Sequence, residues 1–154
     1  LEAGRMIAVL GASRPELGLL LHIGGAAVFF GAVTVAAVTQ LTATKVAEPD
    51  RLRRVAFRTL LIVGLPAFIV FRIAAEWLRS AGPWGDNGSD EPAWLGIGYI
   101  ISDLGALLFL ISLILAGIAV WKPKGWLSKT SGVLSVLILI GLVVATWAMG
   151  AKPD

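Results

Sequence analysis

The chain has 154 residues, of which 57% are hydrophobic and only 15% charged, with a mean hydropathy of +0.85. A soluble domain of this size is nearer half apolar and a quarter charged, so the excess apolar surface needs lipid. The absence of cysteine excludes a disulfide framework, thiolate metal ligands and thiol chemistry. A formal net charge of +3, scattered along the chain, is too small for nucleic-acid binding.

The first residues do not read as a signal peptide, because the apolar run Met6-Ile7-Ala8-Val9-Leu10 is too short for its central region. Residues 1–5 read as an appended remnant or as an internal start. Four apolar stretches then follow, at about 17–41, 55–78, 95–120 and 127–150. Each is long enough to cross a bilayer, which takes roughly 20 helical residues. Barrel strands would be half as long and would alternate polar with apolar residues, so only helices suit these stretches. The expected fold is all-α, a single domain forming an antiparallel bundle of four transmembrane helices.

The connections set the expected topology. The first carries Lys45, Arg51, Arg53 and Arg54, with Arg58 just inside the next helix, and the third carries Lys122 and Lys124, with Lys129 close behind. The second is rich in Gly and Pro and carries Asp86, Asp90 and Glu91. Basic residues beside span ends mark the cytoplasmic side. The first and third connections are therefore expected inside, and the second connection and both termini outside, in a bacterial cytoplasmic (inner) membrane. Trp77, Trp84, Trp94 and Trp147 fall near the outer interface, and Trp121 and Trp126 near the inner one, where indole rings settle.

Within the spans, Gly24, Gly25, Ala27, Gly31 and Ala32 make the first helix a close-packing element, with Ala27 and Gly31 forming a small-xxx-small pair. This glycine-rich helix is also a candidate face for a homodimer or a larger membrane complex. Pro66, after Gly64, is expected to kink the second helix.

The ionisable residues of the spans share one depth. At 1.5 Å per residue, His22 lies about 7 Å below the outer edge and Asp103 about 12 Å below it. Arg72 and Glu76 lie four residues apart on one face near the outer end of the second span. Tyr99 sits a turn above Asp103, and Thr146, Trp147 and Met149 reach the same level. Two readings stay open. Arg72 and its carboxylates neutralise one another and fix the packing, or the layer lines a cavity open to the outside, as intramembrane ionisable groups commonly do. On the second reading His22, Arg72 and Asp103 converge on one ligand site, with Glu76 at its mouth and Tyr99 or Trp147 along its wall.

Leu21-His22-Ile23-Gly24-Gly25-Ala26-Ala27-Val28-Phe29-Phe30-Gly31, followed by a basic loop and a helix opening with Arg53, Arg54 and Arg58, resembles the first two helices of small bacterial proteins of the copper-resistance D type. It also resembles predicted integral-membrane proteins of unknown function. The resemblance implies a helical membrane fold. Members often carry further histidines in later helices, and this chain has none.

The function expected is a binding, transport or accessory role. The outward polar layer would receive an ion, a proton or the polar head of a lipid or quinone-like molecule. The alternative is a redox protein holding haem or quinone through His22, with Met149 as a second haem ligand. A histidine can also couple binding to protons near neutral pH. Nothing in the sequence has the layout of an enzyme's nucleophile and base.

Overall fold

The computed structural model describes residues 15–81 and 92–151. The expectations placed on residues 1–14, Trp84, Asp86, Asp90, Glu91 and Lys152 lie outside them. Helix α1 spans Pro15–Ala43, α2 spans Asp50–Ala81, α3 spans Ala93–Trp121 and α4 spans Gly125–Ala151. All four are long and apolar enough to cross a membrane, and the described residues contain no strand. Pro15 opens α1, where a missing N–H costs nothing, and Glu16 in the first turn suits the positive end of the helix dipole.

The second helix starts at Asp50, earlier than the hydropathy predicts. Asp50–Arg58 is a charged but strongly amphipathic opening turn, so its apolar side packs while its mean hydropathy stays low. Arg53 and Ala56 are buried there. The expectation that the arginines lie in a wet connection is thus corrected for Arg53. Its Nε donates to Ser128 Oγ at 3.1 Å and its Nη1 meets Asp50 Oδ1 at 3.0 Å, so the charge enters the bundle with partners.

The disturbance expected at Pro66 takes a definite form. Thr59–Gly64 winds as a π-turn, and the Leu65 N–H reaches back to the Leu60 carbonyl. Proline has no N–H for the helical ladder and its ring crowds the preceding turn, and a wider turn accommodates both.

Around the bundle, α1 packs against α2 and α4, and α4 packs against α3. The α2–α3 seam closes differently along its length. The backbones pack together at Asp50–Arg58, but over Leu65–Ala81 they make little contact. Small residues set the close approaches. A Cβ placed on Gly25 would lie 2.9 Å from the Phe71 Cβ and 3.0 Å from its backbone nitrogen. Gly132 instead leaves room for side chains, those of Leu41 and Gln40. In lipid there is no hydrophobic drive between helices, so such contacts carry the association.

The middle of the bundle is aromatic. Phe29 and Phe109 are fully or almost fully buried with ring centroids 5.0 Å apart, and Phe68 and Phe71 complete the cluster at 5.2 Å from each other. Towards the basic end, Ser112 of α3 bonds Ser131 and Ser135 of α4 at 3.0 and 3.1 Å, all three fully buried. Interhelical hydroxyl bonds of this kind add about 0.6 kcal/mol each. Gln40, also fully buried, has an amide without a protein partner among the described residues. Leu, Ile and Val cover the outer surface, as Leu20, Ile62, Ile100 and Ile114 do.

Neighbouring glycines should therefore differ sharply. Gly25→Ala should destabilise the purified protein by about 1–3 kcal/mol, because backbone must move to admit the methyl group. Gly24→Ala meets nothing within 4 Å and should melt like the wild type. Equal melting temperatures in one detergent would show that α1 and α2 are not held this closely.

Candidate functional site

The end of the bundle away from the basic connections holds the ionisable layer. Arg72 is its centre. One guanidinium nitrogen, Nη2, lies 3.0 Å from Asp103 Oδ1 on α3 and 3.2 Å from Glu76 Oε1 one turn along α2. Glu76 Oε2 accepts a bond from the Tyr99 hydroxyl at 3.1 Å. The guanidinium carbons of Arg72 and Arg79 each lie 5.1 Å from the Tyr99 ring centroid, within cation–π range. These side chains bridge the length of the seam where the backbones of α2 and α3 hardly meet.

Behind the bridge is a cavity of about 490 Å³. Arg72, Arg79, Tyr99, His22, Thr146 and Met149 are among its lining residues, and the rest of the wall is largely apolar. Phe29, Phe68 and Phe71 line it on the side of the aromatic cluster, and Trp94 and Leu95 near the start of α3. A hollow of this size, mostly apolar with a few polar groups, has the character of a small-molecule site. A second, shallower groove at the basic end, lined by Phe57, Gly117, Trp121 and Lys122 among others, lies away from the ionisable layer.

His22 is half-buried. Its Nδ1 lies 3.1 Å from the carbonyl oxygen of Phe71, the residue beside Arg72, and its ring packs edge-on to the Phe71 ring at 5.9 Å. His22 and Arg72 thus line one space. Asp103 does not line it. Its side chain is 68% exposed and takes the guanidinium from the outer side of the seam. Glu76, 48% exposed, lies on that side too and does not line the cavity. Trp147, expected along the wall beside Tyr99, is 61% exposed and also outside the lining. Depth along a helix sets height but not azimuth, and the serine stripe of α4, Ser128, Ser131 and Ser135, ends well short of Trp147.

Arg79 and Trp94 line the cavity as well, the first without a sequence expectation and the second expected only in the interfacial belt. The spacing Arg72–Arg79 is two helical turns, which puts both on the α2 face towards Tyr99, and this is the signal that could have found Arg79. Among the described residues, no three His, Cys, Asp or Glu side chains gather into a metal-binding group. Comparison of the chain with protein-family models, with curated proteins and with solved structures gives no match.

Arg72→Leu leaves two carboxylates at the seam without their cation. The pair is part-exposed, so the loss should fall between a surface bridge and a buried one, at about 2 kcal/mol. Arg51→Leu, on the exposed face of the opening turn of α2, should change the melting temperature in detergent little. Equal melting of the two variants would mean that the Arg72 bridge does not hold α2 to α3.

Proposed function

We propose that the chain is a small integral membrane protein whose cavity binds an amphipathic molecule of the polar-lipid or quinone-like class, in a transport or accessory role. The observation that supports this most is the 490 Å³ hollow at the ionisable end, apolar over most of its wall and edged by His22, Arg72 and Tyr99. A bare ion or proton is a poorer match to so much apolar surface. In this reading the bundle is antiparallel in a bacterial cytoplasmic membrane, with the ionisable end and both termini outside and the basic connections inside.

One observation favours a second reading, a redox protein holding haem or quinone through His22. The bond from Nδ1 to the Phe71 carbonyl is the outer-shell contact that orients a ligating histidine, and Met149 lines the same cavity. A homodimer would use the α1 face of Gly24, Ala27 and Gly31, which is exposed.

Two measurements test the proposal. Organic extraction of the purified protein should release an amphipathic molecule in near-equal amount to protein, without a Soret band in the intact sample. Gly105→Phe should release none, because Gly105 lines the cavity and a Cβ there meets nothing within 4 Å. A wild-type extract as empty as that of Gly105→Phe would sink the binding role, and a Soret band would select the haem reading. For the topology, a cysteine at Asn87 should react with an impermeant thiol reagent on intact cells, and one at Lys124 should not. The reverse pattern would put the cavity on the cytoplasmic side.

A further inference from the structure

The polar groups around the cavity differ in what they have left to offer. The Tyr99 hydroxyl is spent on Glu76, and the Thr146 hydroxyl on the Leu142 carbonyl at 2.8 Å. Arg72 is held by Asp103 and Glu76, and Arg79 lies over the Tyr99 ring. Trp94 and Arg79 are also engaged. Arg72 and Arg79 balance Glu76 and Asp103 in formal charge, with both carboxylates placed on Arg72. Both carboxylates sit on one nitrogen of Arg72, Nη2, so an anionic head at this guanidinium would meet two negative charges already beside it. Like charges so close disfavour one another, which weakens the case for a fatty acid or a phosphate ester.

His22 is different. A carbonyl oxygen only accepts, so the bond to Phe71 requires the hydrogen to sit on Nδ1. In the neutral ring Nε2 is then a bare acceptor. Among the described residues no side chain or backbone group bonds to Nε2. The wall therefore offers a fixed acceptor at His22 and, at Ser102, a buried hydroxyl without a partner among the described residues. Its match is an uncharged molecule with an O–H, which can donate to the first and accept from the second.

We propose that the occupant of this cavity is a neutral amphipath bearing a hydroxyl group, a phenol-like or alcohol head on an apolar body, which donates to His22 Nε2. This rests on the binding reading above and narrows it to one head-group chemistry. The rings of Phe68, Phe71 and Tyr99 in the lining suit a flat head better than a branched one.

Three probes of one shape separate the possibilities: para-nonylphenol, which donates; para-nonylanisole, whose ether cannot; and para-nonylbenzoate, which is anionic. Apparent affinities come from the rise in melting temperature at fixed detergent concentration, with Gly105→Phe as the blank for partition into micelles. The phenol should bind the wild type about fivefold more tightly than the anisole, the worth of one hydrogen bond, and the benzoate should bind least. In His22→Phe, which keeps a ring but has no acceptor, phenol and anisole should bind alike. Anisole equal to phenol on the wild type, or benzoate tightest, would overturn the hydroxyl assignment while leaving a ligand cavity in place. No difference between wild type and Gly105→Phe for any probe would remove the cavity reading, and this inference with it. Should His22→Phe fail to fold, the wild-type ratio of phenol to anisole decides alone.

Discussion

The Arg72 guanidinium crosses a seam that backbone packing leaves unclosed, and the arrangement of this end of the bundle follows from that. Over Leu65–Ala81 the α2 backbone makes little contact with α3, while α1 holds α2 through the Gly25–Phe71 approach and α4 holds α3 along its length. Three helix pairs are thus packed, α1 with α2, α1 with α4 and α3 with α4, and the remaining joint is bridged at this end by long side chains. Charged side chains reach further than the contact distance of Ala or Gly. The joint they span is therefore wide, and the space behind it is the cavity. Shorter residues at 72 and 99 would either let the helices close or leave the carboxylates unpaired.

The π-turn contributes to the same opening. Pro66 forces the ladder to widen just below the point where α2 leaves α3. On the basic side of that turn the seam is packed by Phe57 against Gly117, where a Cβ would come within 3.1 Å of the ring. On the other side it is bridged by Arg72, Glu76 and Tyr99. A single helix thus makes two kinds of contact with one neighbour, with the change of winding between them.

Much of this was legible in the chain, and what was hidden was hidden for physical reasons. Four helices follow from hydropathy, because lipid leaves the backbone few options, but the charged opening of α2 at Asp50–Arg58 does not. The shared height of His22, Arg72, Glu76, Tyr99 and Asp103 follows from rise per residue. Azimuth does not, since the outer halves of these helices are too uniformly apolar to show which face meets the cavity. That is why Trp147 reads as a wall residue and lies outside the lining, and why Asp103 meets Arg72 from the exposed side. Gly24 and Gly25 are indistinguishable in sequence, yet only Gly25 faces another backbone. Arg53 reads as a headgroup residue because arginines at span ends usually are; its burial depends on Ser128, 75 positions away. The serine cluster is equally silent, because a hydroxyl barely lowers the hydropathy of a long apolar run.

The two ends of the bundle show that buried polarity alone does not mark a site. At the basic end, Arg53 is satisfied by Asp50 and Ser128, and Ser112 by Ser131 and Ser135, with helices packed closely around them. Those bonds close on themselves and specify which helices meet at which register. At the other end the bonds also close among Arg72, Asp103, Glu76 and Tyr99, but they close around a hollow. A bundle that needed only neutral charges and correct register could have packed this end as it packs the other, with Phe, Gly and Ser. Instead, long side chains span it, and His22 is fixed by Phe71, with no partner for its second nitrogen among the described residues. The arginine bridge and the cavity behind it are thus consequences of one geometry. The bridge spans the gap between the walls, and His22 lines the space they enclose.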